Sequence, residues 1–147
     1  MDQDVSIRKI QQEDAPSLQR IYSAITKTDA HIGFDRVIAE HLQFEHNDTS
    51  FAAEVDGEVV GYMISYLVYG GFGVEKSAWI ASLGVDPRMM GQGIGQKLAA
   101  KTFEIYKRKG VKYIYSSVIW DSVDLISFFK SLGFERSDFI NIKKELL

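Results

Sequence analysis

The stretch "SLGVDPRMMGQGIGQKL", residues 82–98, constrains the fold more than any other part of the chain. An apolar run leads into it and an amphipathic run leaves it, with glycines 91, 93 and 95 between them. Glycine is poor helix material, so three of them where a helical pattern begins mark a sharp backbone turn or a close approach by another molecule. The segment predicts a strand, a short turn containing Pro87 and Arg88, and a helix whose first turn is rich in glycine.

Three phosphate-binding arrangements can be separated by spacing. A P-loop needs Lys-Ser or Lys-Thr directly after its last glycine, and Gln96 and Lys97 stand there instead. A dinucleotide fingerprint, G-x-G-x-x-G, needs its third glycine at 96 or 98, which are Gln96 and Leu98. What remains is a helix start whose free amides and positive dipole end suit a diphosphate. Close packing of the helix on a sheet is the alternative use of the glycines, and one glycine would suffice for that.

Size and composition narrow the function classes. The chain has 147 residues, the length of one ordinary domain, and residues 1–147 are expected to form a single one. No run of about 18 uncharged apolar residues is present, which argues against a membrane span. The start, "MDQDVSIRKI", is acidic where a secretory leader would be basic, so a cytoplasmic location is expected. There is no cysteine, which removes disulfides, thiolate metal sites and cysteine nucleophiles. The net charge of −3 argues against general nucleic-acid binding. Lys107, Arg108 and Lys109 close a helical pattern, where they suit the negative end of its dipole.

Along the chain, "VSIRKI" reads as a first strand and "EDAPSLQRIYSAIT" as a helix with Pro16 in its first turn. "DAHIGFDRVIAEHLQFEHND" reads as a second helical region, with Val37, Ile38, His41 and Leu42 on one side. "SFAAEV" and "EVVGYMISYLV" form a hairpin about Asp56-Gly57. "YGGFGVEKS" is expected as a loop, and "AWIASLGV" as a fourth strand. After the glycines, Ile94, Leu98, Thr102 and Ile105 make a helical stripe that Gly110 ends. "VKYIYSSVIW" reads as a fifth strand buried on both faces. Asp121 or Ser122 caps the helix "VDLISFFKSL", which Gly133 ends. The tail, "FERSDFINIKKELL", is expected to add one or two strands. A hairpin-rich first half joined to a β-α-β second half gives an α/β chain with a mixed sheet.

These features together resemble the GNAT superfamily of acetyl-CoA-dependent N-acetyltransferases. Their signature, Q/R-x-x-G-x-G/A after a strand L-x-V-x-P, is met by "LGVDPRMMGQG", with Arg88, Gly91 and Gly93 in register. The opening "IRKIQQEDAPSLQRIY", the hairpin "EVDGEVVGYMI" and the helix end "FFKSLGF" extend the resemblance over nearly the whole chain. It implies a central, mostly antiparallel sheet flanked by helices, with parallel fourth and fifth strands that splay apart. It implies that backbone groups of Leu83, Gly84 and Val85 meet the pantetheine of acetyl-CoA. Amides of Gly91, Gln92, Gly93, Ile94, Gly95 and Gln96 would hold the pyrophosphate, and Arg88 of the same signature is counted with the cofactor-binding residues. Ser122 stands where many relatives have an Asn that contacts the cofactor.

Many relatives also carry a Glu on the fourth strand as base and a Tyr in the last helix as acid. Here those positions are Trp79 and Phe129, so the catalytic residues are open. Glu75, Asp121 and Tyr66 are the candidates, with Ser77, Ser82, Tyr62 and Tyr69 nearby in sequence. Each also has a structural reading: Glu75 as a solvated acid, Ser82 as a small strand residue, Asp121 as a helix cap, the tyrosines as core. His31, His41 and His46 make no metal-ligand pattern, and no metal is expected. The expected activity is acetyl transfer from acetyl-CoA to a primary amine, of a small molecule or of a protein N-terminus or lysine. Residues 26–46 and 69–77 would choose among them. The alternative is a catalytically silent acetyl-CoA binder acting as a sensor or regulator. A homodimer is left open, and neither nucleic acid nor membrane is an expected partner.

Overall fold

The computed structural model describes residues 4–28, 30–43, 48–71 and 74–147. The chain divides into two compact units, residues 1–115 and 116–147. The first contains β1 (Ser6–Lys9), a 3-10 turn (Gln12–Asp14), α1 (Ala15–Thr26), α2 (Phe34–Gln43), β2 (Phe51–Val55), β3 (Glu58–Gly71), β4 (Val74–Val85) and α3 (Ile94–Arg108). β5 (Ile114–Ser116) lies at the junction, and α4 (Val123–Ser131) belongs to the second unit. The strands form one sheet in sequence order, antiparallel from β1 to β4, with β5 parallel to β4. The mixed sheet read from the sequence is therefore present.

β3 organises the first unit, because a strand turns alternate residues to opposite faces. A side chain added at Gly61 would touch Ile94 and Leu98 of α3, and Thr102 of α3 reaches Met63. Tyr62 and Ile64, one position out of phase, join Leu18 and Ile21 of α1 and Phe34 and Ile38 of α2 in a buried cluster. Leu18 and Ile21 are completely buried, each worth about 1.5–3 kcal/mol over an exposed position.

The turns follow their residue types. Asp56 and Gly57 both have positive φ, 51° and 79°, as a tight hairpin turn requires. Gly110 (φ 74°) and Gly133 (φ 90°) end α3 and α4 in the same way. Val111 N donates to Tyr106 O and Phe134 N to Phe129 O, each closing the last helical turn. Two of the basic residues ending α3 have acidic partners: Arg108 pairs with Glu104 one turn back, and Lys109 with the distant Asp48 at 3.0 Å.

Three expectations fail. "YGGFGVEKS" is mostly strand: β3 runs to Gly71 and β4 starts at Val74, with Tyr69 opposite Lys76 and Val68 opposite Ser77. Cross-strand pairing there outweighs the presence of glycine, and residues 72–73 lie outside the described residues. The fifth strand is only three residues long, and its neighbours Tyr113, Ile119 and Trp120 are exposed, so it is not buried on both faces. Residues 134–147 contain no strand, and Ile140 and Ile142 are exposed. The second helical region is helix from Phe34 to Gln43, and its residues 29 and 44–47, His46 included, lie outside the described residues.

His41 sits on the buried side of α2 beside Ile10, Val37, Ile38, Ser50 and Ile64, edge-on to Tyr66. It is 2% exposed and neither ring nitrogen has a hydrogen-bond partner. Burial holds its pKa below the ordinary 6.5, against the weaker pull of Asp48. The unfolded chain takes up a proton near pH 6.5 that the folded chain resists, so stability falls as pH drops below that value. Thermal unfolding between pH 5 and 8 should show this decline in the wild type. His41→Leu, which cannot titrate, should flatten it without lowering the melting temperature at pH 8. A decline unchanged in the variant would assign the acid sensitivity to other groups.

Candidate functional site

The chain leaves the sheet at Asp86, which is 4% exposed. Its amide donates to Val60 O at 2.8 Å, extending the β3–β4 pairing by one residue. Its carboxylate caps the one-turn 3-10 helix Pro87–Met89 by accepting Arg88 N at 3.0 Å. The guanidinium of Arg88 binds the same carboxylate at 2.7 Å and Glu58 at 3.1 Å. Arg20 of α1 reaches Asp86 at 3.1 Å. Arg88 first, and Arg20 in addition, hold the Asp86 pKa down to about 2. The stability from that ionised form is present above about pH 4 and is lost as pH falls through about 2.

After this anchor come the glycines, and they are not equivalent. Gly91 and Gly93 have φ of 82° and 77°, while Gly95 is a buried residue inside α3. A β-carbon at Gly91 or Gly93 would meet nothing within 4 Å, so backbone conformation and not crowding by this chain demands glycine there. Gly93 is the residue before α3, and no side chain caps that end. The first hydrogen bond of the helix is Lys97 N to Gly93 O. The amides of Ile94, Gly95 and Gln96 precede it, at the positive end of a 15-residue helix. The sequence reading of a glycine-rich turn leading into a helix is met here. It could not tell that Arg88 is committed to two carboxylates.

β4 approaches the turn with one irregularity. Ile64 lies opposite Ser82 but Ser65 lies opposite Ile80, leaving Ala81 without a register partner on β3. This bulge puts Trp79 opposite Tyr66, and the Trp79 ring stacks on Tyr115 at 4.8 Å. Trp79 Nε1 donates to Ser77 Oγ at 3.0 Å. Leu83, Gly84 and Val85 pair with Met63, Tyr62 and Gly61, and Ser82 Oγ donates to the hydroxyl of buried Tyr62 at 3.3 Å. β5 meets β4 at Ala78, whose amide donates to Tyr113 O at 3.2 Å. With three residues against twelve, β5 can pair with only part of β4.

The catalytic candidates fall on different elements. Tyr66 is half-buried on β3, and burial, with a smaller contribution from Glu40, raises its pKa. Glu75 is exposed near the outer end of β4, four positions from Trp79, and Tyr69 is exposed. Asp121 is an exposed turn residue of the second unit, and Ser122 beside it precedes α4 without capping it by its side chain. Phe129 is buried in that unit, edge-on to Phe134 at 4.9 Å. His31 lies on the surface 4.0 Å from Asp35. Among the described residues, no cluster of three His, Asp or Glu is placed to hold a metal ion, and no helix is long and apolar enough to cross a membrane.

A comparison with known proteins decides the family. Residues 6–134 match the acetyltransferase (GNAT) family. The chain belongs to that family. An uncharacterized N-acetyltransferase of Methanocaldococcus jannaschii is 27% identical over 92% of this chain and 62% of its own length. An N-alpha-acetyltransferase of Sulfurisphaera tokodaii is 30% identical over 66% of this chain and also 62% of its own length. The chain thus spans a little under two thirds of these relatives. Among solved structures, an aminoglycoside N-acetyltransferase in complex with CoA superposes with a TM-score of 0.83 at 16% identity, over 99% of this chain and 97% of that one. The GNAT fold is shared at an identity too low to carry the substrate across.

The glycine turn makes a direct prediction about stability. An L-residue with a side chain costs about 1–2 kcal/mol in the left-handed region, and Asn tolerates it best. Gly93→Val should lose stability in that range by urea unfolding, and Gly93→Asn less. Equal losses would place the strain elsewhere in the turn.

Proposed function

We propose that the protein is an N-acetyltransferase that moves the acetyl group of acetyl-CoA to a primary amine by direct attack in a ternary complex. One observation carries this reading: an uncapped helix start, reached through two glycines of positive φ with open space over both, at the end of β4. Backbone amides in that setting suit a diphosphate, and glycine lets the ligand touch the main chain. Residues Gly91 to Gln96 would hold the pyrophosphate, Leu83 to Val85 would meet the pantetheine, and Ser122 would contact the cofactor. Residues 1–147 then act as one catalytic domain, at home in the cytoplasm. The family and the named relatives support the chemistry.

The acceptor amine is that of a protein N-terminus, a lysine or a small molecule. Proteins similar to this chain carry names from two of these classes, one an N-alpha-acetyltransferase and another, similar in fold, an aminoglycoside N-acetyltransferase. Alignment of amine and thioester supplies much of the rate, since a held pair reacts far faster than a free one. The bulge at Ala81 takes a β4 residue out of the ladder, and a main-chain N–H there would polarise the acetyl carbonyl. With Trp79 and Phe129 at the positions of the usual base and acid, the amine loses its proton to water.

A second reading, a silent acetyl-CoA sensor, is favoured by those same two rings, each packed against another aromatic ring. An acetyl-CoA assay over a panel of amines, detecting released thiol, separates the two. Turnover with any amine removes the sensor, and binding without turnover across the panel removes the enzyme. Gly93→Val, assayed where it is folded, should bind acetyl-CoA at least about tenfold more weakly, or about 1.4 kcal/mol. Unchanged affinity in calorimetry would end the phosphate-turn assignment.

Without a protein base, log kcat/KM should rise with pH at a slope near one and follow the basicity of the amine. An alkyl amine near pKa 10.4 should give no plateau below about pH 9. A less basic amine should break at its own lower pKa. A break at one pH for both amines would identify a protein group and direct mutagenesis to Glu75, Asp121 and Tyr66.

A further inference from the structure

We propose that Arg20, in the middle of α1, is a positioning residue for acetyl-CoA binding. The inference rests on the acetyl-CoA reading of the glycine turn and names a residue, 66 positions before Asp86, that acts on the turn without touching the ligand.

β3 is irregular beside the turn. Ala53 lies opposite Gly61 and Glu54 opposite Val59, so Val60 has no register partner on β2. The carbonyls of Val59 and Val60 both serve the start of the turn. Val60 O accepts the Asp86 amide at 2.8 Å, and Val59 O accepts Arg20 Nη2 at 2.9 Å. The other arm of the same guanidinium, Nη1, donates to Asp86 Oδ2 at 3.1 Å. Arg20 therefore ties the side chain of Asp86 to the same two-residue step of β3 that binds its backbone.

Charge makes this link specific. Asp86 is almost completely buried, and its carboxylate takes hydrogen bonds from Arg88 as well as from Arg20. Glu58 lies 3.1 Å from Arg88 and 3.5 Å from Arg20, giving a closed group of two cations and two anions. Arg88 is five residues from Gly93 on the same turn, and its own link to the sheet, to Glu58 at the start of β3, joins two exposed side chains. Arg20 comes from a packed helix whose Leu18 and Ile21 are in the core. It is the member of the group that ties the buried Asp86 carboxylate to α1. A planar, two-armed donor holds a carbonyl and a carboxylate in one fixed geometry, which the compact ammonium of lysine on its flexible stem reproduces only in part.

Removing the guanidinium should let the Asp86–Gly93 segment move against β3 and misdirect the amides of Gly93 to Gln96. The test is Arg20→Met, which keeps the aliphatic stem, with Arg20→Lys as the conservative variant. CoA affinity is read by calorimetry, KM and kcat by steady-state assay. Arg20→Met should weaken CoA binding and raise the KM for acetyl-CoA at least fivefold. At saturating acetyl-CoA its kcat and acceptor KM should stay within twofold of wild type. Arg20→Lys should recover part of the affinity.

Ile10→Ala, a buried β1-end substitution away from the turn, serves as a destabilised control. It should lower the melting temperature and leave CoA affinity unchanged. If Arg20→Met folds too poorly to assay, Arg20→Lys alone should show the KM effect with kcat preserved. Wild-type CoA affinity in Arg20→Met, or an equal loss in the Ile10→Ala control, overturns the positioning role. Failure of the wild type itself to bind CoA would instead overturn the reading of the glycine turn.

Discussion

The first unit depends on β3 being buried on both sides. α3 packs on Gly61 and Met63, while α1 and α2 pack on Tyr62 and Ile64. Each face needs the other, because a strand one residue out of phase would send Tyr62 toward α3 and open the opposite core. The glycines at 61 and 84 follow from this crowding. A β-carbon at Gly61 would lie 3.0 Å from Ile94, and one at Gly84 2.9 Å from Tyr62. Close packing of α1 and α3 on opposite sides of the sheet brings α1 near the end of β4 and puts α3 directly after it.

A buried polar group ties α3 to this frame. Ser65 on β3 bonds Tyr106 of α3 at 2.7 Å and also reaches Thr49 O, while Thr49 Oγ1 donates back to Ser65 O at 2.9 Å. All of these groups are buried and have partners, which is the condition under which such a network rigidifies an interface. The amino end of α3 is thus presented by a helix whose far end is held by hydrogen bonds as well as by apolar contact. Tyr106 is held in its neutral form by burial, which suits a structural hydroxyl.

What the sequence made legible was local. Asp56-Gly57, Gly110 and Gly133 were readable because backbone sterics decide them within a few residues. The strand–turn–helix at 82–98 was readable for the same reason, together with the family signature it carries. What escaped was decided by distant partners. The glycines at 70 and 71 suggested a loop, yet pairing with β4 keeps them in a strand. The tail alternates like a strand, but alternation names a face and not a neighbour. The ion pair of Arg88 with Glu58, 30 positions earlier, also escaped, because nothing local announces it. Arg20 gave no signal at all. A single exposed arginine on a helix looks like solvated surface until the carboxylate it meets is known.

The extra residue at Ala81 bears on how this chain is to be compared with others. Sidedness along a strand is a phase with a period of two residues, and a one-residue bulge advances it by half a cycle. On one side of the bulge, odd-numbered residues of β4 share a face with Gly61 and Met63; on the other, they share one with Tyr66. An alignment that slides a gap across residues 80–82 changes few identities but exchanges the faces of everything from Val74 to Ile80. Whether Trp79 counts as the counterpart of another chain's acidic residue is therefore a question of phase, to be settled by matching the bulge before matching the letters.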